Sequence, residues 1–396
     1  MNPRLKLLQP YPFEKLRKLF EGSTPDPARK HISLGIGEPR HPTPEFIRRA
    51  LSDNLEKLSA YPPTAGSDTL RQAIGAWLTQ RYALPALDWR TAVLPVNGSR
   101  EALFAFAQTI VNPSKGIPVV VCPNPFYQIY EGAALLAGAQ PYYVNTTAGK
   151  GYCADYSQVP EEVWRRTQLL YVCSPGNPTG KVLGLAEWQE IFALADRHGF
   201  VIASDECYSE IYFDEASPPL GALQAAARSG RSFDRLVVFS SLSKRSNAPG
   251  LRSGFVAGDA AVLKAFLLYR TYHGGAMNPA VQEASAAAWK DETHVRENRK
   301  KYAERFNRVT PLMQQALEVQ RPDAGFYLWA RTPIADVEFA RRLYAAQNVT
   351  VLPGSFLARD SAGINPGAHF VRMALVAETE ECLEAARRIV EFARQL

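Results

Sequence analysis

Four short apolar runs interrupt the polar background of the chain: PVVVC (118–122), LLYVC (169–173), FVIAS (200–204) and LVVFS (236–240). They do not alternate between apolar and polar positions, and β-branched residues are frequent in them. Such runs suit strands covered on both faces, as in a parallel sheet. Between the second and third lies LAEWQEIFALADRHG, where Trp188, Ile191, Phe192 and Ala195 recur at helical spacing and Gly199 is placed to end the helix. This is a β-α-β crossover. Upstream, TPEFIRRALSDNLEKL has Pro44 at a helix start and sets Phe46, Ile47, Ala50, Leu51, Leu55 and Leu58 on one face. SDTLRQAIGAWL repeats the pattern with Leu70, Ile74, Trp77 and Leu78. Helices alternating with buried strands predict an α/β sheet sandwich.

After about residue 280 the texture changes to long charged helices, then GFYLW and HFVRMALV with strand character, then a final helix in ECLEAARRIVEFARQL. The expected division is a large domain at 45–280 and a smaller α+β domain built from 1–44 and 281–396. No internal repeat or low-complexity tract appears.

Composition narrows the function. Hydrophobic residues at 46% and charged residues at 21% exclude a disordered chain. The net charge of +6 is spread in ones and twos among nearly as many acids, which favours anionic small molecules only weakly. The densest basic run, RENRKKYAERFNR (296–308), has interleaved glutamates and reads as the solvated face of a helix, so no nucleic-acid partner is expected. The five cysteines are odd in number and lack C-x-x-C spacing, a reduced pattern in which Cys122 and Cys173 read as buried small hydrophobes. No metal set stands out. The charged, proline-bearing N-terminus is no signal peptide and no membrane span follows, so a soluble cytoplasmic protein is expected.

In open parallel sheets, ligands bind beyond the carboxyl ends of the strands. LLYVC leads into SPGNPTG with Asn177; FVIAS leads into DECY with Asp205 and Tyr208; LVVFS leads into SLSKRSNAPGLRSG with Lys244 and Arg252. Before the helix EALFAFAQ stands VNGSR, where Gly98, Ser99 and Arg100 form a candidate phosphate cradle. With Ser241 and Arg252 added, a phosphate would have hydroxyl, amide and guanidinium partners. A phosphate site beside a lysine and an aspartate suits pyridoxal phosphate, whose aldehyde needs an amine and whose ring nitrogen needs a carboxylate. Tyr208 and Asn177 are placed to hydrogen-bond the phenolic oxygen of the ring, and Tyr127 in NPFY to stack on it. Singly, each group has a plainer explanation: GNPTG as a turn, the aspartate as a helix cap, the lysine as a surface residue. LGIGEP supplies G-x-G, but Arg40 stands in the third glycine's place and the dinucleotide fingerprint fails. Five functional groups after three successive buried strands, plus the cradle, outweigh the separate explanations.

SLSK with Arg252 following, GNPTG, DECY, NGSREAL, YPPTAG and FVRMALV occur in an order and spacing that resemble the fold-type I, class I/II aminotransferases over nearly the full chain. The resemblance implies the pyridoxal-phosphate-dependent transferase fold, with a mainly parallel seven-stranded sheet in the large domain. It implies that Lys244 is the Schiff-base lysine, Asp205 the partner of the pyridine nitrogen, and Asn177 and Tyr208 the partners of the phenolic oxygen. Tyr127 would stack on the ring, and Gly98, Ser99, Arg100, Ser241 and Arg252 would hold the phosphate. Tyr61 would reach a neighbouring subunit's phosphate, so a homodimer is expected. Arg372 would grip the substrate α-carboxylate, helped by the backbone of Gly37, and Asn177–Pro178 would be cis.

SLGIGEPRHPTPEF, YPPTAGSDTLRQAI, SLSKRSNAPGLRSGF and GINPGAHFVRMALV are similar to succinyldiaminopimelate transaminases of bacterial lysine synthesis. That similarity implies a ping-pong transfer from glutamate to N-succinyl-2-amino-6-oxopimelate. Arg40, Arg100, Arg245 and His273 are candidates to read the acceptor's further carboxylates, and the roles of Arg245 and Asn247 stay open. Another class I/II aminotransferase, acting on N-acylated ornithine, aspartate or aromatic substrates, is an alternative. So is a carbon–sulfur β-lyase of the same fold. A pyridoxal-phosphate-binding regulator is a remote third, since only about 30 residues precede SLGIGEP, too few for a DNA-binding domain.

Overall fold

The four apolar runs become four adjacent strands of one sheet in the computed structural model, which describes residues 1–85 and 87–396. The sheet comprises β1 (Val93–Val96), β2 (Val119–Asn124), β3 (Gln140–Asn145), β4 (Thr167–Cys173), β5 (Val201–Asp205), β6 (Leu236–Ser241) and β7 (Gly254–Gly258). Its order is β1-β7-β6-β5-β4-β2-β3. Only β7 runs antiparallel to its neighbours, so the seven-stranded, mainly parallel sheet is as expected. Alternate residues of one strand enter different cores: Val238 joins the cluster of Trp188 and Ile202, while Val237 and Phe239 join that of Phe106 and Val120. Burial on both faces explains the unbroken apolar runs.

A second, four-stranded antiparallel sheet is formed by β8 (Glu318–Val319), β9 (Tyr327–Arg331), β10 (Leu352–Pro353) and β11 (Phe370–Ala374), in the order β10-β11-β9-β8. Ile32–Ser33 pairs in parallel with Val349–Thr350, and Ile32 and Leu34 enter the same core as Phe326 and Leu328. The N-terminal segment thereby closes onto this second unit. Among the described residues no helix is long and apolar enough to cross a membrane.

The helices that matter below are α1 (Pro12–Leu19), α2 (Glu45–Ser52), α3 (Asp68–Tyr82), α4 (Ser99–Ile110), α5 (Leu185–His198), α6 (Pro279–Lys290) and α7 (Thr293–Met313). Helix α5 ends at Gly199, which takes a left-handed φ of 77°, and α3 buries Leu70, Ile74, Trp77 and Leu78.

Three expectations need correction. The helix begun after Pro44 stops at Ser52, and a separate 3-10 turn spans Leu55–Ser59. Leu55 and Leu58 are consequently exposed, because the break takes them off the face that buries Ile47, and Phe46, next to Ile47 in the same helix, is exposed as well. The basic run in α7 is not wholly solvated: Arg299 and Arg305 are buried. Arg299 is compensated by Glu215, at 2.7 and 2.8 Å, and Arg305 by the carbonyl of Leu375, at 2.6 Å. Cys173, at the end of β4, is only partly buried, whereas Cys122 is fully so. Helix α6, counted with the second unit from residue 281 onward, puts Ala284, Ala286, Ala288 and Trp289 into the core of the first, packed on α2 and α3. Its alanine-rich face allows that close approach.

Candidate active site

The carboxyl ends of β4, β5 and β6 open on a cavity of about 530 Å³ lined from both units. Parallel strands put their carboxyl ends on one edge, which is why groups that follow separate runs meet here. Asn177, Asp205, Tyr208, Ser241, Lys244 and Arg252 all line the cavity. Ser99, Arg100 and Tyr127 join them from the first unit, and Gly37 and Arg372 from the second.

Lys244 projects from the short helix that follows β6, and its Nζ donates to the carbonyl of Gly37 at 2.7 Å. Burial lowers its pKa from 10.5 to about 8; Cys207 and Glu38 pull it up, while Arg372 and Arg100 push it further down. Asp205, the last residue of β5, accepts from the Tyr130 hydroxyl at 2.7 Å and the Cys207 amide at 3.2 Å. Burial raises the Asp205 pKa, and these hydrogen bonds and the Lys244 charge oppose the rise. Tyr208 pairs its hydroxyl with that of Tyr327 at 3.0 Å.

Arg372, on β11, is buried, and its guanidinium lies 4.2 Å from the centre of the Tyr327 ring. It donates to Asn177 Oδ1 at 2.9 Å and to the carbonyl of Gly35 at 3.0 Å, while Nε has no partner. No carboxylate pairs with it among the described residues. A buried guanidinium without a counter-charge calls for an anion from outside the chain.

The proposed phosphate cradle is assembled at the start of α4. Gly98 caps the helix with φ 84°, and a side chain there would overlap the guanidinium of Arg252. Arg252, itself at φ 53°, donates to the carbonyls of Pro249 (2.9 Å) and Asn97 (3.4 Å) and meets no acid among the described residues. The Cys207 thiol donates to Ser99 Oγ at 2.9 Å, and Ser241 Oγ lies 3.8 Å from the same sulfur. Helix N-terminus, hydroxyls and guanidinium together suit a phosphate. With the Lys244 amine and a buried Asp205 carboxylate that has no hydrogen-bonded cation, the residues fit pyridoxal phosphate.

Tyr61 does not join this group; it is fully exposed and absent from the cavity wall. Asn124–Pro125, Ser174–Pro175 and Asn177–Pro178 are all cis. Among the four extra cations, Arg40 pairs with Glu381 at 2.7 Å, Arg245 is buried against Trp289, and His273 lies 3.8 Å from Glu101. Arg100 alone of the four lines the cavity, donating to the hydroxyls of Tyr127 (2.6 Å) and Tyr11 (3.2 Å). Sequence reasoning missed Tyr11, Phe13, Cys207 and Tyr327, which also line the cavity. Cys207 stands inside DECY and was open to notice; Tyr11 and Phe13 reach the site because the start of α1 packs along the cavity wall.

The sequence model of the family described as aminotransferase class I and II matches residues 29–389. An LL-diaminopimelate aminotransferase of Aquifex aeolicus is 31% identical, the match covering 98% of each chain. Among solved structures, an aminotransferase from Neisseria meningitidis is 54% identical with a TM-score of 0.97 over the full length of both chains. A probable N-succinyldiaminopimelate aminotransferase from Thermus thermophilus is 29% identical with a TM-score of 0.84, covering 96% of this chain and 98% of that one.

Proposed function

Because this chain belongs to the class I and II aminotransferases, enzymes that depend on pyridoxal phosphate, we propose that it transfers the amino group of glutamate to N-succinyl-2-amino-6-oxopimelate. The observation that carries the substrate class is that, besides Arg252 at the phosphate cradle, two guanidiniums, Arg372 and Arg100, line the cavity without a carboxylate partner among the described residues. Arg372 would take the α-carboxylate and Arg100 an acidic group at the far end of the substrate. The diaminopimelate-type substrates in the names of two relatives support the same class.

When bound, pyridoxal phosphate supplies an aldehyde that receives the amino group and a ring that draws electrons from the substrate Cα. Arg252, Ser99, Ser241 and the start of α4 would hold its phosphate, Asp205 the protonated ring nitrogen, and Asn177 and Tyr208 the phenolic oxygen. Tyr127 would lie against the ring. The Lys244 amine, with its pKa brought to about 8, is neutral in an appreciable fraction near neutral pH and can take the Cα proton at Nζ. Tyr11 and Phe13 would exclude water from the entrance. Full exposure of Tyr61, with Leu55 and Leu58 exposed just before it, supports a homodimer in which a second copy covers this stretch. Tyr61 would then reach the cofactor phosphate held in that copy.

A second reading is favoured by the 31% identity to the Aquifex enzyme: LL-diaminopimelate itself as the amino donor to 2-oxoglutarate. One experiment separates them. The enzyme with pyridoxal phosphate and 2-oxoglutarate is given N-succinyl-LL-diaminopimelate, LL-diaminopimelate or aspartate, and glutamate is measured by mass spectrometry. Fastest release with the succinylated compound is the expected result. A faster rate with free LL-diaminopimelate would install the second reading, and aspartate outpacing both would remove the two together.

A further inference from the structure

Lys244 is followed by Arg245, Ser246 and Asn247, none of which lines the cavity, yet each is buried. Their partners come from the two places where the chain passes between the units, residues 35–45 and 288–298. Arg245 lies 4.7 Å from the ring centre of Trp289 and 5.5 Å from that of Trp77. It donates to the carbonyls of Ala288 (2.8 Å) and Asp291 (3.1 Å) and to the carboxylate of Glu292. Ser246 Oγ lies 2.8 Å from His294 Nε2. Asn247 Nδ2 donates to Asn298 Oδ1 at 3.1 Å, and Asn298 Nδ2 reaches back to the carbonyl of Lys244 at 3.5 Å. The first crossing is held as well: Thr43 Oγ1 donates to the carbonyl of Asn247 at 2.6 Å, and Lys244 Nζ to that of Gly37. Both ends of the lysine, backbone and amine, are thus bonded to chain that joins the units.

We propose that Asn247, with Arg245, is a positioning residue through which the joint between the two units sets the position of Lys244. The assignment rests on the reading of Lys244 given above. A surface loop would not need these bonds. Arg245 costs much to bury, and outside its own loop it donates to residues 288–292, where α6 passes into α7, so that junction and the loop are held in one arrangement. Asn247 takes φ 48°, a conformation in which an asparagine is tolerated and which lets its amide face α7 while its carbonyl faces Thr43. A shift of α7 relative to the sheet therefore acts on the peptide that carries the lysine.

The test uses the holoenzyme and the variants Asn247→Gly, which keeps the left-handed backbone and removes the amide, Asn298→Ala, and the double variant. Amide hydrogen exchange over 242–248 should accelerate about tenfold in either single variant, and the double variant should exceed Asn298→Ala by less than about twofold, because Asn298→Ala already cuts both the bond from Asn247 and the bond to the Lys244 carbonyl. With glutamate, or whichever donor the wild type uses best, kcat should fall about tenfold while KM stays within about twofold. The pH midpoint of the cofactor's visible absorbance should move in the same variants. Additive exchange effects, unchanged exchange over 242–248, or lowered thermal stability with kcat and the absorbance midpoint unaltered would each overturn the proposal. Borohydride reduction followed by peptide mapping is the separate check on Lys244: cofactor fixed to another residue would refute the reading of the lysine, whatever the Asn247 variants do.

Discussion

Replacing Lys244 by methionine in the cofactor-free protein removes a charge but keeps an unbranched chain of similar size. Folding brings the amine from 10.5 to about 8, chiefly through burial. Below pH 8 the native state carries a proton that burial opposes; between the two values the unfolded chain binds more protons than the native one, so stability rises with pH across that window. At pH 7 the separation corresponds to about 3 kcal/mol of destabilisation. By pH 10 the same relation leaves less than about 1 kcal/mol. Against this stands the hydrogen bond from Nζ to Gly37, worth about 1 kcal/mol. Lys244→Met should therefore be more stable than wild type by about 2 kcal/mol at pH 7 and indistinguishable from it near pH 10. Urea unfolding of both apoproteins at the two pH values, at one protein concentration and by circular dichroism and tryptophan fluorescence, measures the difference. A gap that is the same at both pH values, or a wild type more stable at pH 7, would refute the claim that the lysine is held against burial.

Three further outcomes follow from the same geometry. Arg100→Met should lower kcat/KM for substrates with a distal acidic group by about 10- to 100-fold, as loss of a charged hydrogen bond of roughly 1.5–3 kcal/mol implies, and leave alanine nearly unaffected; paired steady-state assays compare them. Arg372→Lys should cost every amino acid substrate roughly 2 kcal/mol or more of binding in the transition state, since a lysine cannot make the forked contact; unequal losses between acidic and neutral substrates would contradict a role at the common α-carboxylate. Glu131→Gln should destabilise the fold by about 3 kcal/mol in urea unfolding, because Arg359, which donates to Glu131 at 2.8 and 2.6 Å, would be left with its charge unpaired where the loop after β10 meets β2.

How much of this was legible depends on which neighbours a residue needs. Asn177, Asp205 and Lys244 each stand just beyond an apolar run, and a parallel sheet brings such positions to one edge whatever else the chain does. The sheet itself was legible because strands covered on both faces must be apolar throughout, whereas β1 with Pro95, β7 with two glycines and the edge strand β3 carry no such run. The face predicted for 46–58 failed because local spacing shows where side chains point along an unbroken helix, not where the helix stops.

By itself the sequence determined the chemistry on offer: an amine, a carboxylate, an amide and a phosphate cradle at the ends of buried strands. Tertiary structure alone decided which cations are free to act. Arg40, Arg245, Arg299, Arg305 and Arg100 are alike in sequence, each an arginine near a motif or a helix. Glu381, Glu292, Glu215 and the Leu375 carbonyl compensate the first four, while Arg100 meets only tyrosine hydroxyls at the cavity wall. A charge is neutralised by whatever lies within a few ångströms in space, and those partners come from positions as far apart in the chain as Tyr11 and Glu381, whose approach no local pattern encodes.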